Sequence, residues 1–266
     1  MNSILLSKKI RKVSLEMVHI SNASHIGSAL SMVDILAVLY NNILNYDSNN
    51  SKWEGRDKLI LSKGHSCVAL YAVLGLKNFF DIELLKTYGK NGSNFMNHIS
   101  HKVPGVEFST GSLGHGLPYA VGIALGNKLK KIDSKVYVIL GDGEVAEGSN
   151  WEALLFASHN KLDNLVVIID NNNLQSLTTV DETLSLEPYD KKFLSFGCNV
   201  VKVDGHDHEQ LNKVFSFNNP YLKPNVVIAK TIKGKGVSYM ENEVKWHYKS
   251  PNTQELLIAI KEINNA

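Results

Sequence analysis

The sequence has few cysteines, no long apolar run and little net charge, and each absence excludes a class of protein. Its 266 residues include two cysteines, Cys67 and Cys198, which lie far apart and form no CxxC pair. We therefore expect no disulfide framework. No segment approaches the roughly 18 apolar residues that a membrane helix needs. The formal net charge is +2, with Lys and Arg scattered, a pattern that does not favour binding to nucleic acid or to a membrane surface.

The chain also lacks a Pro- or Ser-rich linker, an internal repeat and a low-complexity tract, so we expect one domain over residues 1–266. Its first residues mix charged and apolar side chains at helical spacing, which is typical of an amphipathic helix and not of a signal peptide. The composition, 44% hydrophobic and 20% charged, suffices for a sizeable core. We expect a cytoplasmic location.

The order of the predicted elements indicates an α/β fold. We predict strands near 59–62, 136–140, 165–170, 199–203 and 225–230. Helices are predicted near 4–21, 31–44, 65–78, 116–131, 149–161, 189–196, 207–217 and 253–264, with loops from about 89 to 115. Strands that alternate with helices predict a mostly parallel sheet covered by helices on both faces. The strand order stays open.

Polar residues follow two consecutive predicted strands. Gly141-Asp142-Gly143 ends one strand, and after 27 intervening residues Asn171-Asn172 ends the next. A strand–helix–strand unit collects its ligands at the carboxyl ends of the strands. Carboxylate, amide and carbonyl oxygens suit a hard cation such as Mg²⁺, so we expect Asp142, Asn172 and the carbonyl near Leu174 to bind one together with diphosphate oxygens. The glycines allow the backbone to approach a phosphate closely.

This segment resembles the thiamine-diphosphate motif, GDG followed by NN, and the chain resembles the N-terminal domain of transketolase from His25 to about Pro251. Five ordered segments carry the resemblance: ASHIGSALSMVDILAVLY (23–40), DKLILSKGHSCVALYAVL (57–74), PGVEFSTGSLGHGLPYAVGIALGNKL (104–129), the GDG segment (141–175) and KTIKGKGVSYMENEVKWH (230–247). The resemblance implies the thiamine-diphosphate-binding fold. It also implies thiamine diphosphate and Mg²⁺, or another divalent cation such as Ca²⁺ or Mn²⁺, as cofactors.

The resemblance assigns roles to several histidines. It implies that His25 faces the substrate channel, and that His65 contacts both the diphosphate and the substrate side. His247 matches the family histidine that reaches the diphosphate. His98 is favoured over His101 as a further substrate-facing histidine, and both stay open. His115 stands where the family usually has glutamine, and its role also stays open. The histidines that match nothing in the family are interpreted as helix or loop surface; these are His19, His159, His206 and His208.

The resemblance also assigns roles to residues of the Gly-rich loop and of the GDG segment. The resemblance implies that Gly111 and Leu113 contact the thiazolium and aminopyrimidine rings, and that Gly143 belongs to the cofactor site. It places Glu147, and less directly Glu152, in a carboxylate network at the subunit interface near the catalytic glutamate.

That catalytic glutamate comes from a second, pyrimidine-binding domain in the family, and a full transketolase is more than twice this length. The resemblance therefore implies a split enzyme, in which a C-terminal partner subunit supplies the pyrimidine-binding domain and the glutamate, as a heterotetramer with two copies of each chain. The pair would transfer a two-carbon ketol (glycolaldehyde) unit from a ketose to an aldose. Whether the substrates are sugars or sugar phosphates stays open.

Several alternatives remain. An E1 alpha-like subunit of a 2-oxo acid dehydrogenase shares the GDG…NN motif and the split architecture. However, the LSKGH and STGSLGHG segments, and the lack of a serine-rich phosphorylation loop, disfavour it. A 1-deoxyxylulose-5-phosphate-synthase-like enzyme would need a longer chain. A non-catalytic cofactor-binding homologue, or a cofactor-free Rossmann-like module, is disfavoured by Asp142, Asn172, His25 and His65.

Overall fold

The computed structural model describes residues 2–217 and 219–265. Its centre is a five-stranded parallel sheet with the strand order β1-β2-β3-β5-β4. The strands are β1 (Lys58–Leu61), β2 (Val136–Gly141), β3 (Leu165–Asn171), β4 (Asn199–Asp204) and β5 (Asn225–Lys230). Four of them read as nearly continuous Val, Ile and Leu runs because both faces of the sheet are covered. The predicted α/β class and parallel sheet are confirmed.

The α-helices lie on both faces of this sheet. They are α1 (Ser3–Ser21), α2 (Ile26–Ser31), α3 (Val33–Val38), α4 (Cys67–Leu76), α5 (Gly116–Leu129), α6 (Gly148–His159), α7 (Val180–Leu184), α8 (Tyr189–Ser195), α9 (His208–Phe215) and α10 (Thr253–Asn265). Short 3-10 or π turns occupy Leu39–Ile43, Gly64–Ser66, Ile82–Thr87, Gly143–Ala146 and Val244–His247. Along the described ranges, no helix combines the length and the apolar character that a membrane crossing requires.

Alternate residues of each strand pack into two separate cores. In β2, Tyr137 and Ile139 face a core built with helices α1, α3, α4 and α9. Val136, Val138 and Leu140 face the opposite core, built with α5, α6 and α8. This follows from the two-residue period of a strand, which sends successive side chains to opposite faces.

One predicted helix differs in the structure. The segment predicted as one helix over 31–44 begins earlier, at Ile26, and is interrupted at Met32, whose φ of −98° and ψ of 5° lie outside the helical range. On the two sides of this break, Ser31 donates a 2.5 Å hydrogen bond to Asp170 of β3, and Asp34 pairs with Arg11 of α1. Apolar periodicity continues across the interruption, so it could not reveal the break.

The sheet brings the predicted ligands to one edge. β2 and β3 are neighbours in register, with Gly141 opposite Asp170, so Asp142 and Asn172 leave the sheet side by side. The connections that follow β1 and β5, and the residues that precede α2, meet at the same edge.

Candidate functional site

A cavity of about 240 Å³ opens at the carboxyl ends of β1, β2 and β3. It brings together most of the residues singled out from the sequence, namely His25, His65, His98, Gly111, Leu113, Asp142, Gly143, Asn172, Leu174 and His247. The cavity has both polar and apolar surface and lies where parallel α/β sheets bind their ligands.

Asp142 provides the charged oxygens of this cavity. Its buried carboxylate accepts hydrogen bonds from the backbone N–H groups of Gly143 (2.8 Å) and Asn173 (2.5 Å). Burial, and after it the charge of Asp170, raises the pKa of Asp142 to about 6. A cation beside this carboxylate would favour its ionised form and reverse that shift.

Three neutral oxygens belong to the turn that follows β3. Asn172 is buried, and its Oδ1 accepts a 3.1 Å hydrogen bond from the backbone N–H of Leu174. The carbonyl oxygens of Leu174 and Gln175 are approached by the ammonium of Lys233, at 3.3 and 2.7 Å. The turn therefore presents oxygens that already attract positive charge.

Two buried lysines add positive charge to the cavity lining. The side chain of Lys63 is 2% exposed and donates hydrogen bonds to the carboxylate of Asp170 and to the carbonyl of Ser28 (3.1 Å). Burial alone would raise the pKa of Asp170, but the Lys63 ammonium and the hydroxyls of Ser31 and Thr231 hold it below its usual value. Burial, and after it the charge of Lys63, lowers the pKa of Lys233 to about 8.

Four histidines surround the mouth of the cavity. The ring of His25 lies 4.9 Å from that of His247, 5.2 Å from that of His65 and 5.8 Å from that of His98, measured between centroids. Burial is the main cause that lowers the pKa of His25 to about 4 and of His247 to about 3, with Lys233 contributing to both. Burial and Lys63 lower the pKa of His65 as well.

His25 adopts a strained backbone conformation. Its φ of +72° is left-handed, a region that non-glycine residues rarely occupy. Its N–H donates a 2.7 Å hydrogen bond to the carbonyl of His247, which fixes the two rings against each other. Such strain is characteristic of functional sites whose surroundings over-determine the backbone.

The Gly-rich loop over 111–116 is held by a residue that sequence reasoning missed. The buried carboxylate of Glu144 accepts hydrogen bonds from the hydroxyl of Ser62 and from the backbone N–H of Gly114 (2.9 Å). Gly114 has a φ of +81°, and a Cβ there would lie 2.6 Å from the Cβ of Glu147. A larger residue at Gly114 would therefore displace the loop that carries Leu113.

The remaining candidates lie outside the cavity lining. Glu147 is exposed at the start of α6, and Glu152 is exposed on the same helix. His101 is exposed, with its Nδ1 2.7 Å from the hydroxyl of Ser109. His115 is exposed at the start of α5. Between His98 and His101, the histidine at the cavity mouth is therefore His98.

The interpretation of His206 and His208 as surface residues is wrong. Their side chains are only 13% and 14% exposed, and both contact the carboxylate of Asp34 in α3, at 2.7 and 3.1 Å. The partner carboxylate lies more than 170 positions away, so no local pattern indicated the contact. Of the other two, His159 is exposed, and His19 lies 2.8 Å from the carbonyl of Pro251.

Sequence analysis missed three ionisable residues of the cavity lining, Lys63, Glu144 and Lys233, and the partner of Lys63, Asp170. Each is an ionisable residue at or just beyond the end of an apolar strand or beside a motif glycine. Such a residue must find a partner when the strand end is buried, and a carboxyl or ammonium group there is a candidate site residue for that reason.

The donor set fits a divalent cation and a diphosphate. In the described ranges, no three His, Cys, Asp or Glu side chains are grouped so that they could bind a metal by themselves. This agrees with a set of one carboxylate, one amide and one carbonyl that diphosphate oxygens complete, as hard cations prefer. The ammonium groups of Lys63 and Lys233 supply the positive charge that a diphosphate requires.

Comparison with known proteins agrees with this geometry. Residues 3–262 match the family described as transketolase, thiamine diphosphate binding domain. The chain is 41% identical over 261 residues to an apulose-4-phosphate transketolase subunit of Phocaeicola vulgatus, covering 98% of this chain and 93% of that protein. It is 39% identical to a 6-deoxy-6-sulfo-D-fructose transketolase subunit of a Clostridium species, covering 90% of this chain and 87% of that protein.

The fold matches solved transketolases as well. The crystal structure of transketolase from Campylobacter jejuni superposes with a TM-score of 0.93 at 32% identity, covering 99% of this chain. This chain spans 43% of that enzyme's length. These matches do not favour a 2-oxo acid dehydrogenase component. With cofactor-binding geometry, family match and relatives in agreement, this chain belongs to the transketolase family, whose cofactors are thiamine diphosphate and a divalent cation.

Proposed function

We propose that this chain is the N-terminal, diphosphate-binding subunit of a two-chain transketolase. The enzyme transfers a two-carbon ketol unit from a ketose to an aldose. The observation that carries the proposal is the convergence of Asp142, Asn172 and the Leu174 carbonyl with two lysines and four histidines in one cavity. The chain folds as a single diphosphate-binding domain over residues 1–266 and acts in the cytoplasm.

The oxygen set and the lysines bind the cofactor. Asp142, Asn172 and the carbonyl of Leu174 hold the divalent cation, while Lys63 and Lys233 face the diphosphate with their ammonium groups. Gly143 brings the backbone close to the phosphates, and Gly111 and Leu113 contact the rings. When bound, thiamine diphosphate would supply the carbanion chemistry that transfer of a two-carbon unit requires.

The histidines orient the sugar and exchange protons with it. With pKa values of about 4 and 3, His25 and His247 are neutral near pH 7. Nδ1 of His247 accepts a 3.2 Å hydrogen bond from the Lys233 ammonium, so this ring offers its Nε2–H donor to a hydroxyl group, whereas the ring of His25 offers one donor and one acceptor. A bound diphosphate adds negative charge beside them, which raises their pKa values toward the range useful for proton transfer. His65 and His98 complete the set.

The partner subunit completes the active site. Two relatives are subunits named as parts of transketolases that act on apulose 4-phosphate and on 6-deoxy-6-sulfo-D-fructose. These names support the existence of a partner chain. We propose that this partner supplies the pyrimidine-binding domain and the catalytic glutamate, in a heterotetramer of two copies of each chain. They also support, as substrate, a ketose that carries an anionic group. Glu147 and Glu152 lie at the interface with the partner.

Native mass spectrometry of the tagged chain, purified from its own cells, tests this proposal first. We expect a stoichiometric partner, and ketol transfer from a ketose phosphate to an aldose phosphate only when both chains are present. Turnover of a 2-oxo acid with an artificial electron acceptor, in place of ketol transfer, would contradict the proposal.

A further inference from the structure

The segment Thr231–Gly236, called here the lysine loop, separates two hollows. Lys233 points into the cofactor cavity, whereas Thr231, Ile232 and Lys235 line an open crevice of about 940 Å³ on the other side. Thr231 donates a 2.5 Å hydrogen bond to Asp170, and Gly234 N–H donates one of 2.9 Å to the carbonyl of Gly27. The backbone N–H of Asn242 also donates a 2.9 Å hydrogen bond to the carbonyl of Lys233. The position of the Lys233 ammonium therefore depends on the contacts that hold this loop.

On that side, the loop is held by His206. The backbone N–H of Ile232 donates a 2.9 Å hydrogen bond to Nε2 of His206. Because Nε2 accepts this bond, the ring proton of the neutral histidine lies on Nδ1, which is 2.7 Å from Oδ2 of Asp34. The histidine thus uses one nitrogen for the loop and the other for a carboxylate of α3.

Asp34 is itself fixed by the loop's other anchor. Arg11 forms a two-pronged pair with Asp34 (3.0 and 2.5 Å), and its Nε donates a 3.0 Å hydrogen bond to the carbonyl of Lys235. The side chains of Arg11 and Asp34 are 8% and 6% exposed. A continuous ring therefore runs from Ile232 through His206, Asp34 and Arg11 to Lys235, and it encloses Lys233.

The turn that carries His206 lies directly against the loop. Gly205 N–H donates a 2.8 Å hydrogen bond to the carbonyl of Lys230. A Cβ at Gly205 would lie 2.4 Å from Cγ2 of Thr231. The turn has no room to shift toward the loop, so the His206 ring meets Ile232 N–H at a fixed distance.

We propose that His206 is a positioning residue for cofactor binding: its Nε2 lone pair holds the lysine loop and so fixes the Lys233 ammonium against the diphosphate. His206 does not line the cofactor cavity, and its direct contact with the lysine loop is the hydrogen bond with Ile232. The inference rests on the proposed function, since it requires that Lys233 meet the diphosphate.

Two variants of His206 distinguish the roles of its two ring nitrogens. In His206→Gln the amide oxygen reaches the position of Nε2 and keeps an acceptor for Ile232. In His206→Asn the amide reaches only the position of Nδ1, keeps the contact with Asp34 and leaves Ile232 N–H without a partner. If the lysine loop adopts its binding conformation only part of the time, the apparent affinity for the cofactor is the intrinsic affinity multiplied by that fraction.

Thiamine diphosphate binding with Mg²⁺, measured by titration calorimetry on the complex with its partner, provides the readout. We expect His206→Asn to weaken affinity about tenfold and His206→Gln to stay within about threefold of the wild type. His208→Asn is the matched control. This variant removes one imidazole ring from the carboxylate of Asp34. The hydrogen bonds of His208 go to Asp34 and Ser3 and not to the lysine loop, so the affinity of the variant for thiamine diphosphate should equal that of the wild type.

Equal affinities for His206→Asn and His206→Gln, or an equal loss in His208→Asn, would overturn the positioning role. A nitrogen-15 NMR spectrum of the wild-type chain tests it without any variant, since a proton on Nε2 of His206 contradicts the proposed bond. If the wild-type complex binds no thiamine diphosphate, the proposed function fails, and the positioning role fails with it. Loss of affinity confined to the variants leaves the proposed function intact.

Discussion

The carboxylate of Asp142 accepts a 2.5 Å hydrogen bond from the backbone N–H of Asn173. This contact joins the end of β2 to the turn after β3, which carries Asn172 and the carbonyl of Leu174. The three predicted cation ligands are therefore parts of one connected structure, and a change at Asp142 affects both the charge and the position of the others.

Replacing Asp142 with Asn should abolish cation-dependent cofactor binding and leave the fold intact. The amide keeps the shape but removes the negative charge, so we expect the affinity for thiamine diphosphate with Mg²⁺ to fall at least about 100-fold. Calorimetry measures the affinity, and thermal unfolding provides the control. The apo melting temperature near pH 7 should change little, because removal of an unfavourable buried charge offsets the loss of one of the two backbone N–H hydrogen bonds that the carboxylate accepts. Unchanged affinity would rule out Asp142 as a cation ligand.

Cofactor affinity should rise with pH and then level off above about pH 6. The pKa of Asp142 is raised from 3.8 to about 6, and the cation requires the ionised carboxylate. Below pH 6 this group alone should weaken binding by up to about tenfold per pH unit. Calorimetry in buffers of different ionisation enthalpy should detect proton release from the protein, after subtraction of the release by free thiamine diphosphate on binding Mg²⁺.

The carboxyl group of Asp142 should also make the stability of the apo chain depend on pH. Whereas cofactor affinity rises with pH, the free energy of unfolding should fall. Because the folded chain holds a proton on Asp142 that the unfolded chain releases near 3.8, its stabilising contribution is complete below that pH and is lost as pH rises through about 6. Asp142→Asn should remove this component from the pH dependence of urea unfolding.

Breaking the pair of Lys63 and Asp170 should destabilise the chain strongly. Lys63→Met leaves the fully buried carboxylate of Asp170 without its cation, which costs about 3–5 kcal/mol of unfolding free energy. Lys63→Met combined with Asp170→Asn should recover a large part of this loss, as measured by urea denaturation. Lys86→Met, which removes an exposed ion pair with Glu83, should have no measurable effect. Additive losses in the double variant would show that the two residues act independently.

Removing the charge of Lys233 should raise the pKa values of two histidines. Lys233 is the second-largest cause of the lowered pKa of His247, and the third for His25, after burial and His98. We expect Lys233→Met to raise both values, more for His247, in an NMR titration of the ring protons. Lys235→Met, which changes a lysine outside the cavity lining, should leave both titrations unaltered. A larger rise for His25 would contradict this geometry.

Substitution of Glu144 should lower the stability of the chain, whereas substitution of Glu147 should not. Glu144→Gln leaves the Ser62 hydroxyl and the Gly114 N–H with a weaker acceptor, so the melting temperature of the chain should fall by several degrees. Glu147→Gln, at an exposed position, should change the unfolding free energy by no more than about 0.5 kcal/mol. Its effect should instead be confined to the activity of the assembled complex. A stability loss in Glu147→Gln would point to a role within this chain.

Local sequence patterns predicted what depends on neighbours in the chain. Asp142 and Asn172 were identifiable because each follows a strand whose apolar run ends at that point, and parallel strands place their ends together. The pairing of Lys63 with Asp170 was not identifiable, because the two residues are 107 positions apart. The contact of His206 with Asp34 spans 172 positions and was interpreted wrongly for the same reason.

By itself, the sequence determined the alternation of strands and helices, the glycine turns and the types of ligand at the strand ends, since these depend on short-range periodicity and side-chain chemistry. Only the tertiary structure decided the strand order, the break between α2 and α3, the position of His98 at the cavity mouth, and the burial of Glu144 beside an exposed Glu147. Such features depend on which distant segments pack together, because burial, charge pairing and the partner of each buried polar group are properties of the assembled fold.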